Sequence, residues 1–185
     1  MELNVKSTAL VLIDLQNAIV SRTLAPYSGE EVVQKGVQLA QAFHIKGALV
    51  VYVHVDMANM LKLPVDEPTS LSAPPPPGAS ELVSELDIRA SDLVVTKRQW
   101  GAFFGTNLEE ELRKRKIETV VVGGIATNFG VESTARAAAG LGFALVVVED
   151  ATTTMDEEAH QFAFKRTFPR LGRVRTTEQV IGALG

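Results

Sequence analysis

Six short apolar runs divide the chain at intervals and constrain its fold more than any other feature. They are Thr8 to Ile13, Ala48 to Val53, Leu93 to Thr96, Thr119 to Val122, Ala144 to Val148 and Leu171 to Val174. Val, Leu and Ile dominate the runs without alternating with polar residues, which is typical of strands covered on both faces. The segments between them have helical periodicity. This order predicts parallel strands joined by right-handed crossovers, in a three-layer α/β/α sandwich with a sheet of about six strands.

Two of the connecting segments carry recognisable helix signals. Ser28 is followed three residues later by Glu31, the pattern of a capping box, and an apolar face then continues for several turns. A second helix is predicted to open with Thr106 and to be buried through Leu108 and Leu112.

Composition favours a single packed domain, residues 1–185, since 46% of the residues are hydrophobic. The 18 basic and 22 acidic residues give a formal net charge of -4, so the chain lacks the basic footprint of a nucleic-acid-binding protein. No apolar stretch approaches the length of a membrane span, and the first residues do not resemble a signal peptide. A cytoplasmic protein is therefore expected.

One long segment interrupts the alternation of predicted strands and helices. It runs from Met57 to Gly78 and contains Pro64, Pro68 and the four prolines Pro74 to Pro77. Insertions of this length in a compact domain usually form a binding loop, a lid or a subunit contact.

Charged residues follow two of the predicted strands directly. Asp14 comes after the first strand, where partial desolvation would raise its pKa and make a proton-donating form accessible. The alternative is an ordinary turn or helix-capping aspartate. Lys97 comes after the third strand and could hold that carboxylate charged, polarise a carbonyl or bind an anion; the alternative is a surface charge.

Three aromatic residues lie close to Lys97 in the sequence. Trp100, the one tryptophan of the chain, is followed by Phe103 and Phe104. Such a cluster can belong to the core, but its position beside a charged strand end suits the apolar wall of a small-molecule pocket.

A strand-to-helix elbow runs from Gly123 to Arg136. Paired glycines lead from a buried strand into a short polar turn and a helix of small residues, with Gly130 in the first turn of that helix. Open α/β sheets bind their ligands at such carboxyl ends of strands. The glycine spacing does not fit G-x-G-x-x-G, so a nucleotide cofactor is not predicted.

Together these motifs resemble the isochorismatase-like hydrolases over essentially the whole chain. The matching motifs are Asp-x-Gln after the first strand, Lys-Arg-x-x-Gly-Ala-Phe after the third and Gly-x-Ala-Thr-Asn after the fourth. The resemblance implies that Asp14 and Lys97 occupy the family's acid/base and lysine positions. It also implies substrate contacts at Gln16, Trp100, Phe103, Ile125, Ala126, Thr127 and Asn128.

The resemblance has two further structural implications. A cis peptide bond is expected between Ile125 and Ala126, which in the family aims backbone amides at the substrate oxyanion. A homo-oligomer, dimer or tetramer, is also expected, with Trp100 to Phe104 or the proline-rich insertion near the subunit interface.

The chain departs from the amide-hydrolysing members of that family at Gly130. Those members need a thiolate at this position, and the chain contains no cysteine. Ser133 is no substitute, because it lies nearly one helical turn further on and has no histidine base in the motif.

True isochorismatases also carry a small residue at this position and hydrolyse a vinyl ether. The resemblance therefore implies a mechanism in which protonated Asp14 adds a proton to the vinyl methylene, water attacks, and pyruvate and a cyclic alcohol are released. Two alternatives remain open: a binding or scaffolding protein without turnover, and an amidase-type member whose cysteine has been replaced.

Neither a metal nor another cofactor is predicted. His54 and Asp56 follow the second predicted strand at a spacing that differs from the metal-binding pattern of related nicotinamidases. His54 is expected near the pocket as a strand-end residue, whereas His44 and His160 are interpreted as helix-surface residues.

Overall fold

The computed structural model describes residues 2–67 and 75–185 and contains a six-stranded parallel sheet. The strands are β1 (Thr8–Ile13), β2 (Leu49–Val55), β3 (Leu93–Lys97), β4 (Thr119–Ile125), β5 (Ala144–Thr153) and β6 (Arg173–Arg175). Their order across the sheet is β3-β2-β1-β4-β5-β6, and every neighbouring pair is parallel. The order reverses between β1 and β4, and such a switch point is where open α/β sheets bind ligands.

Both faces of this sheet are buried, as the apolar runs predict. In β1, Leu10 and Leu12 pack into one hydrophobic cluster, while Val11 and Ile13 pack into a second cluster on the opposite face. Side chains of a strand alternate between the two faces, so a strand buried on both sides needs apolar residues at every position. The three-layer α/β/α prediction is confirmed.

Seven α-helices lie between the strands or after the last one in the described part of the chain. They are α1 (Asn17–Val20), α2 (Gly29–Ile45), α3 (Leu108–Lys114), α4 (Glu132–Gly140), α5 (Glu157–Phe162), α6 (Phe168–Leu171) and α7 (Thr177–Ile181). Helix α2 begins with the predicted capping box, in which Ser28 and Glu31 bond reciprocally to each other's backbone.

The start of α3 differs from the prediction. Its N-cap is Asn107 and carries no side-chain cap, while the Thr106 hydroxyl donates to the carbonyl oxygen of Ala102 at 2.6 Å. Thr106 therefore ties the helix start back to the preceding turn instead of forming a capping box. Leu108 and Leu112 are buried as predicted.

Several strands run past the ends of their apolar runs. β2 continues to Val55, β4 to Ile125 and β5 to Thr153, the last through a register shift against β4. The sequence marks these ends poorly because glycine, threonine and acidic residues occupy them. The extensions carry the strands up to the edge where the charged residues lie.

The proline-rich insertion is described in part. Met57–Asn59 forms one 3-10 turn, and the residues directly after the insertion are joined to the main body by backbone bonds from Asn17 to Glu81 and from Ala18 to Ala79. Residues 68–74, which include Pro68 and Pro74, lie outside the described residues, so the insertion's predicted role as a lid or subunit contact stays a prediction.

No helix within residues 2–67 and 75–185 is both long and apolar enough to cross a membrane.

Candidate active site

A buried ion pair joins two strand ends at the carboxyl edge of the sheet. Asp14 directly follows β1, and Lys97 is the last residue of β3. The Nζ atom of Lys97 lies 2.7 Å from Oδ2 of Asp14, and the two residues are 2% and 5% exposed. Burial of an ion pair costs desolvation free energy that the mutual attraction of the charges often fails to recover. A pair kept in this position is better explained by chemistry than by stability.

Asp14 has the features of a proton donor. Burial raises its pKa to about 6, although the nearby Lys97 ammonium lowers it. One carboxyl oxygen, Oδ1, is buried and has no hydrogen-bond partner among the described residues. The backbone of Asp14 is left-handed, with φ of 54°, a conformation that non-glycine residues adopt rarely and often at functional sites. A carboxyl group with this pKa is partly protonated near neutral pH.

Lys97 is fixed by two acceptors. Its ammonium group donates to Asp14 and, at 2.6 Å, to the backbone carbonyl oxygen of Trp100. These bonds use two of its three N–H groups. The turn after β3 thus holds the cation in place, with one N–H group remaining.

The elbow after β4 brings Gly130 against this ion pair. Gly124 has φ of 122°, and a Cβ atom there would overlap the backbone oxygen of Ile13, so glycine is required for β4 to approach the end of β1. Beyond it, Thr127–Val131 forms a π-helical turn that leads into α4. A Cβ atom at Gly130 would lie 3.1 Å from Oδ2 of Asp14 and 3.3 Å from Nζ of Lys97.

Side chains from neighbouring elements anchor this turn. The Thr134 hydroxyl donates to the carbonyl oxygen of Gly130 at 2.7 Å and accepts from the backbone N–H of Ala102 at 3.1 Å. The Thr154 hydroxyl donates to Oδ1 of Asn128 at 2.7 Å. Thr134 therefore connects the elbow to the turn that holds Lys97.

Two of the predicted substrate contacts on the elbow are backbone neighbours. Ile125 ends β4 and is buried, and Ala126 follows it as a half-buried residue. The peptide bond between them is cis.

The three aromatic residues after Lys97 have different environments. The Trp100 ring is 46% exposed and meets the Phe129 ring edge-on, with 4.6 Å between centroids. Phe103 is buried and stacks on Phe143 at 6.0 Å within the core. Phe104 is largely exposed. Of the three, Trp100 has the environment of a pocket wall, whereas Phe103 packs as a core residue.

The amide of Gln16 is fully engaged by backbone groups, contrary to the substrate contact predicted for it. Its Nε2 donates to the carbonyl oxygens of Val55 at 2.9 Å and Ser80 at 3.0 Å, while its Oε1 accepts from the N–H of Val55 at 2.8 Å. No donor of this buried side chain is left for a ligand. Gln16 instead joins the end of β2 to the segment that follows the insertion.

The prediction that His44 and His160 are helix-surface residues is wrong. His160 is 1% exposed and its Nδ1 lies 2.8 Å from the Thr127 hydroxyl, and the His44 side chain is buried against Asp92 at 2.8 Å. Neither is a helix-surface residue. Each lies on a helix face that packs inward. A single histidine in a helical segment of the sequence does not indicate this orientation.

His54 contacts groups that leave it unsuited to metal binding. Its Nδ1 lies 2.9 Å from the carbonyl oxygen of Ser80 and its Nε2 lies 2.8 Å from the Thr96 hydroxyl. Within the described residues, no three His, Asp or Glu side chains are grouped so that they could hold a metal ion.

The sequence does not identify four residues of the site. Two of them, Phe129 and Thr134, lie in the elbow, and the other two, Thr154 and His160, contact it. Thr134 had one usable signal, since it lies four residues after Gly130, the spacing of side chains on one helix face. Thr154 and His160 reach the elbow from distant parts of the sequence, and no local pattern marks them.

The comparison with known families decides the identity of this fold and site. The Isochorismatase domain model matches residues 8–179. The chain belongs to the isochorismatase family. Members of this family are hydrolases, so the chain is an isochorismatase-family hydrolase, as the motifs at the three strand ends predict.

Individual proteins of known sequence or structure are similar to the chain over nearly its whole length. YecD, an isochorismatase family protein of Escherichia coli O157:H7, is 44% identical over 188 aligned positions, covering 100% of both chains. An isochorismatase family structure from Burkholderia thailandensis is 45% identical with a TM-score of 0.91, covering 97% of this chain and 96% of that one. N-carbamoylsarcosine amidase from Thermoplasma acidophilum is 27% identical with a TM-score of 0.77, covering 96% and 98%.

Proposed function

We propose that the protein hydrolyses a small, anionic metabolite by general acid catalysis, without a covalent enzyme intermediate. The most concrete form of this proposal is hydrolysis of a vinyl ether that releases pyruvate and a cyclic alcohol. In this proposal Asp14 is the acid, Lys97 binds the substrate carboxylate, and Gly130 stands where cysteine-dependent relatives carry their nucleophile.

One observation carries the proposal: a protonatable carboxyl group meets a position that has no side chain. The Cβ position of Gly130 lies 3.1 Å from Asp14 Oδ2, so a nucleophilic side chain there would adjoin the acid. Glycine keeps any side chain out of this contact with the acid. Ser133 does not replace the missing nucleophile, because its hydroxyl has no hydrogen bond to a histidine base among the described residues; its Cβ lies against the turn after β3, 3.6 Å from the Cβ position of Gly101.

The reaction balances with water as the single co-reactant. Protonated Asp14 adds its proton to the methylene carbon of the vinyl ether, giving an oxocarbenium-like carbon next to the ether oxygen. Water adds to that carbon and returns a proton to the Asp14 carboxylate. The hemiketal then collapses, the bond between the carbon and the ether oxygen breaks, and pyruvate and the alcohol leave.

The charges of the site suit this sequence of steps. Burial keeps the Asp14 pKa near 6, so the acid form is available near neutral pH. Lys97 is held close by and offers its remaining N–H to an anionic substrate. The half-exposed Trp100 and its neighbour Phe129 supply an apolar wall for a ring.

A parallel release assay tests the proposal. Purified protein is given isochorismate and a panel of small amides, and pyruvate and ammonia are measured with Asp14→Asn as the control. We expect pyruvate release that is lost in Asp14→Asn. Ammonia release would contradict the proposal and favour amidase chemistry, and the absence of both products would favour a different substrate or a binding protein.

We also propose that the chain forms a homo-oligomer. The exposed Phe104 and half-exposed Trp100 are large apolar side chains close to the site, and surfaces of this kind are often covered by another subunit. Light scattering after size-exclusion chromatography tests this, and a monomer at all concentrations would contradict it.

A further inference from the structure

His160 is a buried imidazole in contact with the elbow of the active site. It lies on α5, and its ring is surrounded by aromatic groups: the Phe164 ring at 4.5 Å and the Tyr27 ring, edge-on, at 6.1 Å. Its Nδ1 lies 2.8 Å from the hydroxyl of Thr127. This is the polar contact that the structure gives the side chain.

Thr127 is the residue through which His160 can act on the site. It is completely buried and opens the π-helical turn that carries Gly130 against Asp14 and Lys97. Thr134 and Thr154 anchor later parts of the same region. The bond to His160 therefore anchors the first residue of the turn.

An imidazole at this position lowers the stability of the fold relative to an apolar ring. Its second nitrogen, Nε2, is buried without a partner among the described residues, which costs free energy that a phenyl ring would avoid. A phenylalanine would suit the aromatic surroundings, which include Phe164 and Phe168. The hydrogen bond to Thr127 is the interaction that histidine provides and phenylalanine does not.

The imidazole stays neutral where the enzyme is expected to work. Burial lowers the pKa of His160 to about 4, so the ring carries no charge near neutral pH. A neutral imidazole has one nitrogen that donates and one that accepts, and either role of Nδ1 can be matched by the Thr127 hydroxyl. The contact therefore persists across the neutral range.

We propose that His160 is a positioning residue of the active site, which holds Thr127 and thereby keeps the Gly130 turn against Asp14 and Lys97. The inference rests on the site of the proposed function, because it assigns no separate chemistry to His160. It is independent of which substrate the site accepts.

A single engineered thiol gives a test that does not depend on activity. The chain has no cysteine, so Gly130→Cys introduces one thiol, at a buried position of the turn. Its rate of labelling by iodoacetamide at pH 8 reports how often the turn opens. In this background we expect His160→Phe to accelerate labelling about tenfold, the order expected from loss of one hydrogen bond.

Four matched variants separate positioning from general destabilisation. Thr127→Val should accelerate labelling as His160→Phe does, and the double variant should be no faster than either single one, since both remove the same bond. His160→Gln, which can still hydrogen-bond, should retain most of the protection. His44→Phe removes another buried imidazole, far from the elbow, and should leave the labelling rate unchanged.

The outcomes distinguish this inference from the proposed function. An unchanged labelling rate in His160→Phe, or an equal acceleration in His44→Phe, would overturn the positioning role. If His160→Phe does not fold, Thr127→Val and His160→Gln give the same decision. Failure of the wild-type protein to release pyruvate would contradict the proposed function and leave the labelling result intact.

Discussion

Two buried pairs, each a carboxylate with a basic side chain, lie at opposite edges of the sheet. Asp14 and Lys97 are 2.7 Å apart at the carboxyl edge, and Asp92 and His44 are 2.8 Å apart at the amino edge. Asp92 precedes β3 and Lys97 ends it, so the pairs are separated by the length of that strand, about 16 Å. Contact distance and burial are nearly the same in both.

The pairs differ in the hydrogen bonding of the second carboxylate oxygen. Oδ2 of Asp92 accepts from the backbone N–H of Arg89 at 2.8 Å, so both of its oxygens are bonded. Oδ1 of Asp14 has no partner in the described structure, and Oδ2 of the same carboxyl group lies 3.1 Å from the Cβ position at Gly130. In the second pair the unpartnered atom is Nδ1 of His44, on the basic partner and not on the carboxylate. An incomplete carboxylate beside a position that has no side chain distinguishes the Asp14 pair, and we infer that this pair acts on the substrate.

Replacement of the incomplete carboxylate should have the largest effect. Asp14→Asn removes the acid and keeps its shape, so we expect pyruvate release to fall about 1,000-fold, within the usual range for loss of a general acid. Steady-state kinetics with isochorismate measures this. A loss smaller than about tenfold would remove Asp14 from the catalytic role.

Removal of the basic partner of the same pair should have the next largest effect. Lys97→Met takes away the cation that lowers the pKa of Asp14, so this pKa should rise above about 6. It also removes a charged hydrogen bond to the substrate, which predicts a loss in kcat/KM of about 10- to 100-fold. A pH–rate profile with its midpoint unmoved would contradict the coupling between the two side chains.

A methyl group added against both members of the pair should have a smaller effect. Gly130→Ala places a carbon 3.1 Å from Asp14 and 3.3 Å from Lys97, so these neighbours must shift slightly from the geometry that the proposed chemistry needs. We expect kcat/KM to fall about tenfold. Gly140→Ala, at the end of α4 with no atom near its Cβ position, is the control and should leave kcat/KM unchanged. Equal effects at both positions would remove the special role of Gly130.

Disruption of the completed pair should affect stability and leave turnover almost unchanged. Asp92→Asn weakens the contacts to His44 and to the Arg89 N–H, which should cost about 1–3 kcal/mol of unfolding free energy. Urea denaturation measures the loss, and kcat/KM should stay within about twofold of the wild-type value. A large loss of turnover in a variant that remains folded would contradict the division between the two pairs.

The completed pair also shows which side-chain orientations the sequence does not predict. The apolar runs predict the strands and the layers because a strand buried on both faces must be apolar throughout. They do not reveal that His44 and His160 point inward, since the partners of these residues, Asp92 and Thr127, are 48 and 33 positions away.

The candidate site also contains residues that local sequence predicts and contacts that it does not. Asp14 and Lys97 could be predicted because each directly follows an apolar run, and parallel strands end at one edge. Gln16 lies in the same motif as Asp14, yet its side chain bonds to Val55 and Ser80, and no pattern in the sequence indicates that contact. Strand ends are predictable from local residues, whereas the hydrogen bonds that fix them depend on distant segments.

The most direct test is the pH dependence of kcat/KM for pyruvate release, measured from pH 5 to 8 on the wild-type protein. Asp14 can donate a proton only while it is protonated, and with a pKa of about 6 its protonated fraction falls as pH rises. We expect kcat/KM to bend near pH 6 and to fall about tenfold per unit above it. A rate that rises with pH through this range would contradict an acid role for Asp14.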